Sequence, residues 1–151
     1  MDLLALENQV CFALAVAARR VIAVYRPVLE PLGLTHPQYL VMLALWGEEP
    51  LTVRVLGERL SLEPATLSPL LKRLESIGYL RRTRDPSDER ALRITLTEKG
   101  RELRTRALRI PPAVMEQLGM SIEEMTDLRR HLHEVIRRTS NTAAGASELP
   151  N

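Results

Sequence analysis

Cysteine and aromatic side chains are scarce in this chain: 151 residues hold one Cys, one Phe, one Trp and three Tyr. The single thiol, Cys11, excludes an internal disulfide and leaves no Cys partner for a zinc ribbon or a C-x-x-C redox pair. It is therefore free, or it reacts with another molecule. With few aromatics and much Leu, Arg, Glu and Ala, the composition favours helices over a sandwich or barrel. No apolar run approaches the roughly 20 residues of a membrane span. No basic stretch precedes an apolar one at the N-terminus, so no membrane partner and a cytoplasmic location are expected. There thiols stay reduced unless challenged. Charge of one sign is also missing, since 21 Lys and Arg face 19 Asp and Glu. Any affinity for nucleic acid must then be argued from where the positive charge sits. No Gly-rich phosphate loop, paired carboxylates or nucleophile-base arrangement is apparent, and the expectation is no enzyme and no cofactor. His131 and His133, two apart on a helix, point to different faces and make a poor metal pair.

What is present is helical periodicity. At 45% hydrophobic the chain can bury one core, and a single domain over residues 1–138 is expected. From Leu3 to Leu29 apolar residues recur in steps of three and four, predicting a long first helix that Pro27 can kink. A second seam, Cys11, Ala15, Ala18, Ile22, Tyr25 and Leu29, makes the apolar arc wider than one packing partner needs. Such a helix is expected to touch another subunit. Thr35 to Gln38 resembles a capping box opening a second helix through Trp46. A short third helix follows over Thr52 to Leu60. Pro64 fits the first position of a fourth, ending near Ser76 with Gly78 beyond it. Leu80 to Arg84 and Arg90 to Leu96 read as two strands around a polar turn. Thr97 caps a fifth helix, which Pro111 and Pro112 interrupt. Ser121 to Glu124 caps a sixth, whose stripe of Ile122, Met125, Leu128, Leu132 and Val135 suits a partner helix. From Thr139 to residue 151 the small, polar composition predicts a disordered tail.

Two short helices followed at once by a basic hairpin is the order of a winged helix-turn-helix, with the DNA-binding lobe at about 50–97. The fold class expected is thus mainly α with a β-hairpin wing, dimerised through helices at about 3–30 and 98–138. In the fourth helix Leu67, Leu70, Leu71 and Leu74 bury one face. Pro64, Ala65, Thr66, Ser68, Pro69, Lys72 and Arg73 lie toward the other, where hydroxyls approach base edges and cations reach phosphate or guanine. Arg81, Arg82 and Arg84 add positive charge beside this helix. Arg90, at the hairpin turn, suits a narrow minor groove, with Asp88 placed to hold its guanidinium.

Leu6–Leu14, Tyr25-Arg-Pro27, Pro37–Met42, Leu51-Thr-Val53, Leu56–Leu60, Thr66–Glu75 and Asp88-Glu-Arg90 together resemble the MarR family, specifically its OhrR branch of organic-hydroperoxide sensors. The likeness runs over nearly all of residues 3 to 138. It implies a repressor that is an obligate homodimer on a pseudo-palindromic double-stranded operator, with a reactive cysteine at the position of Cys11. An organic hydroperoxide and a low-molecular-weight thiol are the reactants it implies.

Cys11 and Tyr25 share a helical face but lie about 20 Å apart at 1.5 Å per residue. They cannot touch within one chain. Two first helices crossing antiparallel near Ala17 and Ala18 would bring Cys11 of one subunit to Tyr25 of the other, where a phenol favours the thiolate. The sequence departs from the branch at Ala15 and His36, where further tyrosines are usual; Tyr39 remains. His36 stands either as a donor in place of a phenol or as a cap of the second helix. The alternative within the same fold is a repressor released by a small ligand, such as a phenol, with Cys11 serving only as packing.

Overall fold

Asp2, Asn8 and Gln9 decide where the first helix begins. The Asp2 carboxylate accepts the Leu4 N–H at 2.9 Å, and the Asn8 and Gln9 amides donate to the carbonyls of Asp2 and Leu3 at 2.6 and 2.7 Å. These local bonds give the backbone an alternative to helix. Leu6–Asn8 forms a 3-10 turn, and the helix proper, α1, spans Val10–Leu29, not Leu3 onward as its apolar spacing predicted. The computed structural model describes residues 1–145, without the side chains of Glu89, Arg90 and residues 142–145.

The elements that follow begin where short-range capping chemistry places them. Helix α2 spans His36–Gly47, with the Thr35 N–H donating to Gln38 Oε1 at 3.0 Å. Thr52 caps α3, Val53–Leu60, by accepting the Val55 N–H, and Thr97 caps α5, Glu98–Ala107, by accepting that of Gly100. Helix α4 is Pro64–Ile77 with proline in its first turn, where the missing N–H costs nothing. Between α3 and α4 the chain turns tightly through Ser61 in the left-handed region, and the Leu62 N–H closes back on Gly57 O at 2.9 Å. A Cβ on Gly57 would stand 2.9 Å from Leu62 O, so this turn requires a residue without one.

Three strands form one antiparallel sheet in the order β1-β3-β2. They are β1 (Leu51–Thr52), β2 (Leu80–Asp85) and β3 (Asp88–Leu96). The hairpin was expected, although its turn is only Pro86 and Ser87, with β3 starting two residues before Arg90. The third strand was not expected. Leu51 and Thr52 are too few to show alternation, and their pairing is with Ile94 and Arg93, remote in sequence. Near the tip the register jumps from Arg84↔Leu92 to Asp85↔Asp88. Glu89, Arg90 and Ala91 therefore sit on a bulge of β3, a device that re-aims side chains.

The chain groups into two compact units, Met1–Val114 and the residues from Met115 onward. The boundary falls within α6, Ile110–Leu118, a separate helix that opens on Pro111 and Pro112. In the first unit the core is aliphatic: Leu29, Met42, Leu45, Leu56, Leu71 and Ile94 are fully buried. Each contributes about 1.5–3 kcal/mol of burial. The second unit is dominated by α7, Ile122–Gly145, whose Ser121–Glu124 capping box forms with both bonds in place. This helix runs past Thr139, where a tail was expected to begin. Glu134 pairs with Arg137 and Arg138 along its surface, and small residues alone do not end a helix that the preceding turns have nucleated. The remainder of that expected tail, 146–151, lies outside the described residues.

Candidate nucleic-acid interface and thiol site

Helix α4 is divided as its sequence predicts except at Leu70, expected on the buried face and only half-buried. Leu67, Leu71 and Leu74 are buried, while Pro64, Ala65, Thr66, Ser68, Pro69, Lys72 and Arg73 are all exposed. The exposed set offers two hydroxyls near the helix start and two cations two turns later, on a helix whose other face is locked into the core. That rigidity matters because a base-reading side chain must be held in register. Beside it Arg81 and Arg84 are exposed on β2.

Arg82 is different. Its guanidinium lies 3.0 Å from Glu75 Oε1, and its backbone N–H donates to Glu75 Oε2 at 2.8 Å. The grouping of Arg82 with the free positive charge is therefore corrected: its charge is spent on α4, and the pairing holds the Glu75 carboxyl below the usual carboxylate range. Asp85 shapes the wing turn, accepting from the Ser87 N–H and hydroxyl at 2.9 and 2.6 Å. Asp88 is exposed, and the Arg90 side chain assigned to the minor groove lies outside the described residues.

Three of the four residues assigned to the thiol site converge within one chain. The Tyr25 ring meets His36 edge-on at 4.8 Å between centroids and Tyr39 at 5.9 Å. Tyr39 in turn meets Trp46 at 6.5 Å. Burial raises the Tyr25 and Tyr39 phenols, Tyr39 also through the neighbouring Tyr25 charge, so both are hydrogen-bond donors at neutral pH. Burial lowers His36, which is uncharged there. Thr35 and Gln38 cap α2, so of the two roles open to His36 the capping one falls away. Trp46 was not singled out from sequence, although its indole N–H anchors α2 by donating to Gly100 O at 2.9 Å.

Cys11 stands apart from these rings, exposed near the start of α1. The face around it is uncovered: Val10, Phe12, Leu14 and Ile22 are exposed on α1. On α7, Ile122, Leu128, Val135 and Ile136 are exposed likewise. Two apolar helix faces of this kind are what a partner surface provides for.

The lowered His36 makes stability depend on pH. Its folded value is depressed below 6.5, so above that ordinary value the neutral ring costs nothing extra. Stability is lost as pH falls from there through the folded value. The loss in thermal midpoint between about pH 7.5 and about pH 5.5 is expected to be smaller in His36→Gln. Equal losses in the two proteins by calorimetry would show that His36 does not titrate in this way.

The class these features define is a winged helix-turn-helix with uncovered apolar helix faces outside the DNA-reading lobe. The model of the MarR family matches residues 34–92. Over 89% of this chain and 92% of its own length, the organic hydroperoxide resistance transcriptional regulator of Bacillus subtilis (strain 168) is 41% identical. The HTH-type transcriptional regulator TtmR of Methylorubrum extorquens (strain PA1) is 45% identical over 96% of this chain and 74% of its own. AbfR of Staphylococcus epidermidis is 35% identical, with a TM-score of 0.76 over 90% of this chain and 94% of its own. AbfR has also been solved in reduced form bound to DNA, at 34% identity and a TM-score of 0.73 over 89% and 94%. The chain belongs to the MarR family, and within it to the branch of the hydroperoxide-resistance regulator and its staphylococcal relatives.

Proposed function

We propose that this protein is a homodimeric transcriptional repressor that binds a pseudo-palindromic operator and releases it when an organic hydroperoxide oxidises Cys11. The observation that carries the DNA-binding half is the exposed polar face of α4 on a helix fixed from behind by buried leucines. Two such helices, related by a two-fold axis, read half-sites about one helical turn apart. The sensing half rests on a lone exposed thiol on the uncovered face of α1. Tyr25, His36 and Tyr39 form a neutral donor cluster that a partner subunit presents to it.

The chemistry balances without a cofactor. The Cys11 thiolate attacks one oxygen of the hydroperoxide, the O–O bond breaks, and the departing alkoxide takes a proton to become an alcohol. The resulting sulfenic acid has no second cysteine in the chain to condense with. A small thiol supplies the sulfur instead, giving a mixed disulfide and water.

Binding to a duplex selected by the protein from a randomised pool, measured at two salt concentrations, tests the first half. Log affinity should fall linearly with log salt, as release of phosphate counterions requires. Arg90→Ala should weaken binding by about 1–3 kcal/mol. Salt-independent binding, or full affinity in that variant, would contradict the winged-helix placement.

A further inference from the structure

In the DNA-binding reading above, the recognition helix and the wing meet different grooves, so the angle at which β2 leaves α4 matters. Helix α4 ends at Ile77, Gly78 caps it in the left-handed region, and β2 starts at Leu80. Between them Tyr79 is buried, its hydroxyl donating to Leu32 O at 2.7 Å. The Thr97 N–H donates to Tyr79 O at 3.1 Å and its hydroxyl to Gly78 O at 2.5 Å. These bonds hold the hinge itself. They do not hold the strand that leaves it.

Glu75 and Arg82 do. Glu75 lies in the last turn of α4, and Arg82 is the third residue of β2. One carboxylate oxygen accepts the Arg82 backbone N–H at 2.8 Å; the other accepts Nε at 3.3 Å and a terminal guanidinium nitrogen at 3.0 Å. A three-point contact of this kind, including a charged pair, fixes direction as well as distance. Arg82 also pairs in the sheet with Ile94, a fully buried residue of β3. The carboxylate thus grips the wing through a strand that is itself anchored in the core.

We infer that Glu75 and Arg82 are positioning residues that set the wing against the recognition helix, so that Arg82 serves operator binding without touching DNA. This rests on the DNA-binding reading above. It makes a prediction whose sign is opposite to that of simple electrostatics. Glu75 is a negative charge at the end of a helix that faces phosphate, so Glu75→Gln should strengthen DNA binding if charge alone mattered. If positioning matters, the same variant binds more weakly, by roughly five- to tenfold, because the wing loses its direction.

The test uses the full-length dimer and the duplex selected by the wild type. Glu75→Gln and Arg82→Met are titrated over a range of salt, and the complexes are footprinted with hydroxyl radicals and with dimethyl sulfate. The expected result is weaker binding by both variants with the wild-type salt slope, since no phosphate contact is lost. Protection of the flanking minor grooves should fade, while protection of guanine N7 in the major groove persists. Circular dichroism and sedimentation confirm a folded dimer at the assay temperature, and Arg82→Lys, which keeps the charge, should recover part of the affinity. Unchanged or tighter binding by Glu75→Gln would overturn the inference. So would a slope reduced by about one in Arg82→Met, the mark of a lost phosphate contact. Failure of the wild type to bind any duplex in a salt-dependent way is a separate result, which removes the DNA-binding reading itself.

Discussion

Val10→Glu combined with Leu14→Glu is expected to give a folded monomer that no longer holds operator DNA. The two residues lie one turn apart on α1, and 68% and 36% of their surfaces are exposed in the isolated chain. Neither belongs to the core that folds the first unit, so the charges do not destabilise that unit directly. In the proposed dimer, where α1 meets the partner subunit, they are buried. An obligate interface covers upwards of roughly 2,000 Å² and is largely apolar. Four carboxylates placed in it have no partners, and each costs several kcal/mol to desolvate. A protomer set free by that cost contacts one half-site alone and loses the effective concentration that the second lobe supplied. Operator affinity should then fall by roughly 10²- to 10⁴-fold. Sedimentation should report a mass near the 17.1 kDa of one chain, with the helical signal retained. A dimer that survives both substitutions would place the interface elsewhere and would remove the cross-subunit account of Cys11.

Much of this architecture is legible in the sequence because its signals are local. Thr35 with Gln38, Thr52, Pro64, Thr97 and Ser121 with Glu124 each act within a few residues, and each marks a helix start where the structure has one. The features that escaped depend on remote or competing partners. Strand β1 exists only because Leu51 meets Ile94 across the sheet. Residues 3–9 carry a helical apolar spacing, yet Asp2, Asn8 and Gln9 draw the backbone into a turn through side-chain bonds that periodicity does not register. The same holds at the site. The outer face of α4 follows from helical spacing alone, whereas Arg82 reads as one more basic residue until Glu75 is seen to hold it. Tyr25, His36 and Tyr39 come together only when α1 packs on α2, which no spacing within either helix reveals.

Oxidation of Cys11 is expected to lower operator affinity by roughly 100-fold or more, about 2.7 kcal/mol. The reduced thiol is small and sits on an apolar helix face with Ala15 and Ala18 along the same seam. Ala15 leaves room beside it where a larger side chain would not, so a hydroperoxide can approach. A mixed disulfide with a small thiol is far bulkier and more polar than the –SH it replaces. At a packed interface it must displace what it touches, since such surfaces have little free volume. In the proposed dimer it meets, across the two-fold axis, the Tyr25, His36 and Tyr39 cluster, which joins α1 to α2. Helix α2 is anchored to α5 through Trp46 and Gly100, and the Thr97 cap of α5 ties it to the hinge of the wing. A shift of α1 thereby reaches the two recognition helices and alters their spacing, and the operator can discriminate only through such a difference between states. Cys11→Ser keeps the approximate shape but cannot be oxidised, so it should bind operator equally before and after treatment. The comparison is a DNA titration of wild type and Cys11→Ser, each with and without an organic hydroperoxide, a low-molecular-weight thiol being present throughout. Peptide mass records the state of residue 11 in every sample. Wild type that carries the modification and still binds at full affinity would end the sensor reading, leaving release by a small ligand as the mechanism to pursue.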